Sequence, residues 1–280
     1  MSAWRIWLSL RRVSNLPTVW SNVLAGTLLA GGSPGPATLP VLLAATLFYE
    51  GGMLLNDACD RDTDARERPE RPIPSGRVSA RAVFAAGGAL LGLGGLLLLG
   101  QNPAALAAGA ALAVAIVAYD FHHKGVASSP ALMGACRGGV YLLAGFAAAP
   151  SPEPLVYWAA LALAGYVAGL SYAAKQENLA EFRGSWPLAL LALPLPWLIA
   201  GLSWAALPFL LLFAGWVLRM LGFLLRPAHR DARRAVSGLI AGIALLDAAF
   251  AAEAGSVAGG LAAVAAFLLA DRWQRRVAGT

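Results

Sequence analysis

Charge is scarce in this chain of 280 residues: Asp, Glu, Lys and Arg make up 13% of it, about half the share of a soluble domain. A soluble helical bundle needs a charged perimeter, so the deficit excludes that class. Cysteine is nearly absent. Cys59 and Cys136 stand far apart, with no ligand partner at useful spacing, which excludes a disulfide framework and a cysteine-based zinc site. Histidine is limited to three residues; the adjacent His122 and His123 point to different sides of a helix and make a poor metal pair. No polar linker or low-complexity tail divides the chain, so residues 1–280 read as one domain. The N-terminus lacks the short apolar core and small-residue cleavage site of a signal peptide. Instead Trp4, Trp7, Leu8 and Arg11 predict a short amphipathic helix lying on a membrane surface.

What is abundant is apolar: 59% of the residues, with a mean hydropathy of +0.65. The apolar residues fall into blocks near 14–31, 38–56, 80–100, 103–119, 131–149, 154–173, 187–201, 204–225, 235–252 and 255–271. Each is about long enough to cross a bilayer as helix. The expected fold is therefore an all-α integral membrane protein, a bundle of nine or ten spans, rich in the small residues that let helices approach closely. The block 187–201 is short and interrupted by proline, and the last two blocks are weakly separated. Ten spans place Arg272, Arg275 and Arg276 on the same side as the other basic connections.

The net charge of +6 does not point to nucleic acid. Lys and Arg occupy alternate connections: Arg5 to Arg12, Arg61 to Arg81, Lys124, Lys175 with Arg183, Arg226 to Arg234, and Arg272 to Arg276. The intervening connections have none. This one-sidedness is the positive-inside pattern of a multi-pass protein in a bacterial-type inner membrane, with both termini in the cytoplasm. Arg137 falls inside a span but within about two turns of its cytoplasmic end, where snorkelling is expected. Glu50 and Asp247 also fall inside spans, where a charge is expensive unless it meets a polar cavity or a partner.

The longest hydrophilic stretch, 57–81, holds six acidic and six basic residues. It begins Asn56-Asp57-Ala58-Cys59-Asp60-Arg61-Asp62-Thr63-Asp64. If the second span continues as helix, Asn56, Asp60 and Asp64 share one face at i, i+4 and i+8. Like charges at that spacing repel. A hard divalent cation reverses the sign, and Mg²⁺ takes one or two carboxylates while filling its other positions with water and phosphate oxygens. The motif therefore suits a metal-bound diphosphate better than a structural metal cage. Downstream, Pro69, Pro72 and Pro74 exclude regular helix, and Arg66, Arg68 and Arg71 could clamp phosphate oxygens. A faint repeat relates the end of the second span to the end of the sixth, where Leu170-Ser171-Tyr172 runs into Lys175-Gln176-Glu177-Asn178.

These residues carry a family resemblance. Asn56, Asp60 and Asp64, followed by Arg71-Pro72-Ile73-Pro74-Ser75-Gly76, resemble the signature of the UbiA-type intramembrane prenyltransferases. Arg11 to Thr18 is similar to the family's first helix, and Tyr119 with Lys124 to its tyrosine-to-lysine element. The resemblance covers roughly residues 10–200. It implies a helical bundle around a central, lipid-open cavity where Mg²⁺ and a prenyl diphosphate are held between two acidic motifs. A prenyl group would then pass to a lipophilic or aromatic acceptor in the bilayer. It further implies Asp60, Asp64 and Lys124 as catalytic residues, and Asn56, Arg66, Arg68, Arg71, Tyr119, Tyr172 and Lys175 as substrate-binding. The metal would be held by Asn56, Asp60, Asp64 and Glu181. Tyr49, Tyr119, Tyr141 and Tyr172 are candidates for shielding a carbocation with their π faces. The second acidic motif departs from the family: Glu177 and Glu181 replace the usual aspartates, with Lys175 close by. In this the chain resembles a branch found in ebo-type gene clusters. The departure also supports an alternative, a non-catalytic relative that binds or moves an isoprenoid.

Overall fold

The computed structural model describes residues 3–122, 126, 128–176, 184–226 and 230–276, and all regular structure among them is helical. Proline sets many helix starts, since an N–H at the first turn has no intrahelical partner to lose. Pro17 opens α2 (Leu16–Leu29), Pro40 opens α3 (Leu39–Cys59), and α6 (Pro103–His122) begins on one. Pro130 opens α7 (Ser129–Ala148), Pro154 begins α8 (Pro154–Lys175), and Pro208 opens α10 (Leu207–Leu225). Side-chain caps do the same work elsewhere. Ser79 accepts from the Ala82 amide ahead of α5 (Ala80–Leu97), Asp231 from Arg234 ahead of α11 (Ala232–Glu253), and Ser256 from Gly259 ahead of α12 (Val257–Gln274).

The expected surface helix is present as α1 (Ala3–Leu10). Ile6 and Leu10 are buried with Leu54, Ala58 and Val83, while Trp4 is exposed. Between α1 and α2 the chain turns at Arg12, whose φ of 45° is the one positive value at a non-glycine residue among the described residues. That conformation strains an L-residue, and it aims the Arg12 side chain inward rather than to the surface.

Seven segments are long and apolar enough to cross a membrane: Pro36–Cys59, α5, α6, α7, α8, α10 and α11. The protein is thus multi-pass. Three further segments expected from the sequence are shorter or more polar. α2 has 14 residues, and α12 ends in Asp271-Arg272-Trp273-Gln274. Residues 186–200 form no single helix: Pro187, Pro194 and Pro196 divide them into a 3₁₀ stretch, Trp186–Ala192, and α9 (Pro194–Ala200).

Burial separates inner helices from outer ones. The apolar window of α11 is 89% buried, against 17% for α5 and 22% for α6. α11 packs on α2, α8, α10 and α12, while α3 packs on α5 and α6. α2 and α7 join the two groups. The ends of α3, α6 and α8 and the starts of α7 and α11 meet at one end of the bundle, around the mouth of a cavity.

Candidate active site

The acidic motif keeps its register through a near-continuous helical run. α3 stops at Cys59 and α4 (Arg61–Glu67) begins after Asp60, yet the Asp60 amide donates to Asn56 O and the Asp64 amide to Asp60 O, each at 2.9 Å. Asn56, Asp60 and Asp64 therefore stack on one face, as the spacing predicts. All three border a cavity of about 430 Å³ that also receives Arg12, Arg68, Arg71 and Lys175. Its deeper walls are apolar, with Phe48, Ile116, Val140 and Ile240 among the lining residues.

The acids are cross-linked by arginine. Arg71 Nη1 lies 2.8 Å from Asp64 Oδ2 and 3.6 Å from Asp57 Oδ1, and Arg12 Nη2 lies 3.4 Å from Asp57 Oδ1. Burial works against the Arg12 charge, but Asp57 leads the groups that outweigh it, and the guanidinium pKa ends above its ordinary value. Asn56 Nδ2 donates to Asp120 Oδ1 at 3.4 Å, which brings Asp120 of α6 into the same cluster. The faint repeat has a spatial counterpart: Ser171 and Lys175 at the end of α8 face the same cavity as Asn56 and Asp60 at the end of α3.

Other residues singled out in the sequence are distributed differently. Tyr119 and Tyr49 border the cavity. Lys175 Nζ donates to Val126 O at 3.1 Å. Arg66 is exposed and does not line the cavity, and the Tyr172 hydroxyl donates to Gly184 O at 2.9 Å. Tyr141 is fully buried, its hydroxyl donating to Asp247 Oδ1 at 2.6 Å. Lys124, Glu181, Glu177 and His123 lie outside the described residues.

Among the described residues no three carboxylate, cysteine or histidine groups converge on one point. The donors that do face the cavity are an amide oxygen and carboxylates, the hard set Mg²⁺ selects. They fit an ion shared with phosphate oxygens, and do not fit a cage built by protein alone.

Glu50 meets a partner and does not line the cavity. Its side chain is 3% exposed and paired with Arg11, which carries α1 onto α3. Removing Arg11 strands a buried carboxylate, whereas removing the Glu50 charge leaves Arg11 free to reach water. Arg11→Met is thus expected to destabilise by about 1–3 kcal/mol more than Glu50→Gln, with the double variant no worse than Arg11→Met. Thermal unfolding of the four proteins in detergent checks this, and strictly additive effects would exclude the coupling.

Sequence reasoning missed Arg12, Asn15 and Arg137 as cavity residues. The cue for Arg12 was its place two residues before an apolar span, shared with many topology-setting arginines. Arg137 does not snorkel: it is 9% exposed and bound to Asn22 and Thr18 of α2.

Comparison with known proteins fits this geometry. The model of the UbiA prenyltransferase family matches residues 18–243. A digeranylgeranylglyceryl phosphate synthase of Methanopyrus kandleri is 32% identical over 193 residues, which are 68% of this chain and 69% of that one. A 4-hydroxybenzoate octaprenyltransferase of a Polaromonas species is 34% identical over 155 residues, 52% of this chain and 54% of its own. The chain thus spans between about half and two thirds of these relatives. A solved structure of digeranylgeranylglyceryl phosphate synthase superposes with a TM-score of 0.64 over 91% of this chain and 99% of its own, at 22% identity, and so shares the fold. The chain belongs to the UbiA prenyltransferase family and is a multi-pass membrane prenyltransferase.

Proposed function

We propose that the chain moves a prenyl group from a prenyl diphosphate to a lipophilic acceptor, with Mg²⁺, at a mouth facing the cytoplasm. One observation carries the reading: Asn56, Asp60 and Asp64 share a cavity with Arg12, Arg68, Arg71 and Lys175, and that cavity continues into apolar walls. A head that is polyanionic and a tail that is hydrocarbon match such a gradient. The expected ten crossings, with α2, residues 186–200 and α12 completing the seven longer spans, place the arginine-rich connections and the mouth on the same side. A bacterial-type inner membrane follows from that charge pattern.

In this reading Asn56, Asp60 and Asp64 hold the metal. When bound, Mg²⁺ supplies positive charge against the diphosphate oxygens as they gain electron density. Arg12, Arg68 and Lys175 add charge from the cavity wall, and Arg71 is shared between Asp64 and the diphosphate. The allylic carbon–oxygen bond breaks with its electron pair leaving on diphosphate. The acceptor's nucleophile then bonds to the allylic carbon and gives up a proton. Tyr49 and Tyr119 border the path, and the apolar walls keep water from the cation. Lys124 and Glu181 enter on the sequence argument alone, as a phosphate contact and a second metal ligand.

The test is diphosphate release from a panel of prenyl diphosphates by the purified protein in lipid nanodiscs, with acceptor-containing lipid extract added. Release should require Mg²⁺, stop with excess EDTA and return on adding Mg²⁺. Tight binding with no release under any acceptor would favour the alternative, a carrier of isoprenoid diphosphates. Release unaffected by EDTA would sink the metal assignment.

A further inference from the structure

Two adjacent arginines past the end of α1 part company, and the transfer reading uses only the second. Arg11 pairs with Glu50, while Arg12 borders the cavity mouth and reaches Asp57 Oδ1 at 3.4 Å. The backbone makes the split. Arg12 has φ 45° and ψ 47°, its amide donates to Ser9 O at 3.1 Å, and its carbonyl accepts from the Asn15 amide at 3.0 Å. A left-handed residue just past a helix end is ordinarily glycine, since a Cβ there is strained. An arginine that only marked the cytoplasmic side would do so one position earlier or later without strain. A strained conformation lasts only where its surroundings over-determine it.

Those surroundings are one strip of α3. Glu50, Leu54, Asp57 and Ala58 follow at i, i+4, i+7 and i+8 and share a face. Leu54 and Ala58 pack with Ile6 and Leu10 of α1, and the two acids take Arg11 and Arg12. Neither acid lines the cavity; Tyr49, Met53, Asn56 and Asp60, which do, form the adjacent strip. α3 thus carries two acidic rows, one turned to the cavity and one to the start of the chain. The Glu50 side chain is 3% exposed inside a membrane span, where a carboxylate is expensive. The apolar contacts of Ile6 and Leu10 already seat α1 on α3, so seating alone calls for no buried acid. What those contacts leave loose is the turn after α1. The Arg11–Glu50 pair pins the residue immediately before the strained one.

We infer that Glu50, acting through Arg11, is a positioning residue that holds the Arg12 guanidinium in the mouth of the cavity. This rests on the transfer reading, which places the diphosphate at that mouth. Asp57 holds the same guanidinium from behind, on the side away from the cavity. Without the Arg11–Glu50 pair the turn relaxes toward the right-handed region and Arg12 leaves the mouth to Arg68, Arg71 and Lys175. The surface helix α1 and its anchor thereby belong to the site without touching substrate.

The experiment measures calorimetrically the binding of pyrophosphate, with saturating Mg²⁺, to the full chain in nanodiscs. Glu50→Leu leaves Arg11 with no acceptor at that position. By charge alone, losing an acid should tighten the binding of an anion. Loss of positioning should instead weaken it by about tenfold, the scale of one charge-assisted hydrogen bond. Glu50→Gln keeps an acceptor oxygen and should lie between Glu50→Leu and the unmutated protein. In an Arg12→Gln background, itself weakened, Glu50→Leu should bring no further loss. Binding by Glu50→Leu as tight as that of the unmutated protein, or tighter, overturns the inference. So does the same weakening with and without Arg12, which would mean that the whole site is disturbed. Should Glu50→Leu fail to fold, Glu50→Gln carries both comparisons. A prenyl diphosphate is titrated in parallel into the unmutated protein. If neither it nor pyrophosphate binds, the transfer reading falls and this inference with it; if both bind and Glu50→Leu is silent, this inference falls alone.

Discussion

Asp60→Asn is expected to lower prenyl transfer by about 10²- to 10³-fold, the scale on which loss of one charge-stabilising group acts in an enzyme site. Asp60 stands at the junction of α3 and α4 and faces the cavity, one helical turn from Asn56 on one side and Asp64 on the other. Asparagine keeps the volume, caps a helix as well as aspartate does, and retains an oxygen for the metal. What it loses is the charge that holds a hard cation. The substitution also removes one member of a crowded acidic group, so the folded state should gain slightly or not change. Asp64→Asn is expected to cost more in structure, because Arg71 bonds that carboxylate at 2.8 Å and the proline-rich segment hangs from it. The control is Asp62→Asn. Asp62 belongs to the same run of four aspartates, but its side chain is 81% exposed and does not reach the cavity. Steady-state turnover with a Mg²⁺ titration separates the cases. Asp60→Asn should need more Mg²⁺ and turn over slowly even when saturated, with Asp62→Asn unchanged. Equal loss in both would mean that the stretch acts through bulk charge, and no loss in either would remove the site from this end of the bundle.

How much of this was open to reading from the sequence depended on whether a feature is local. The spacing of Asn56, Asp60 and Asp64 is set by helix periodicity, so it is legible wherever the helix continues, and the ladder through Asp60 shows that it does. The amphipathic start was legible as well, although the buried face is Ile6 and Leu10 more than the tryptophans. Pro187, Pro194 and Pro196 forecast an irregular segment, and the 3₁₀ stretch is the form it takes. The interior polar residues were another matter. Glu50, Arg137 and Asp247 were each visible as ionisable groups inside apolar runs, but their partners are 39, 115 and 225 residues away in the chain for Arg11–Glu50, Arg137–Asn22 and Asn22–Asp247. No periodicity encodes such pairings; the last two exist because α2 packs against both α7 and α11, and the first because the start of the chain packs on α3. The same limit applied to Arg12. Its contact with Asp57 depends on a strained backbone turn that local propensity argues against.

The same helix that carries Arg137 makes the strongest case for a structural prediction. Along α7, Gly134 and Gly138 stand four residues apart and face α8, the small-residue arrangement that lets membrane helices pack backbone to backbone. A Cβ on Gly134 would lie 2.2 Å from the carbonyl oxygen of Ala164, and one on Gly138 would lie 2.6 Å from that of Ala160. Both obstacles are main chain inside a helix, so no rotamer change relieves them. α7 and α8 would have to separate. Gly134→Ala is therefore expected to destabilise by about 3 kcal/mol, the upper part of the range for overpacking. Gly88→Ala on α5 meets nothing within 4 Å and replaces a poor helix former with the best, so it should be neutral or stabilise by up to about 1 kcal/mol. Thermal unfolding in detergent compares the two, and a Gly134→Ala protein as stable as the unmutated one would show that the helices are not in backbone contact. The consequence reaches the cavity. α7 supplies Arg137 and Val140 to its wall and α8 supplies Leu170 and Lys175, so parting these helices widens the cavity. Gly134→Ala held folded at low temperature should therefore lose transfer as well as stability, whereas Asp60→Asn should lose transfer with stability kept.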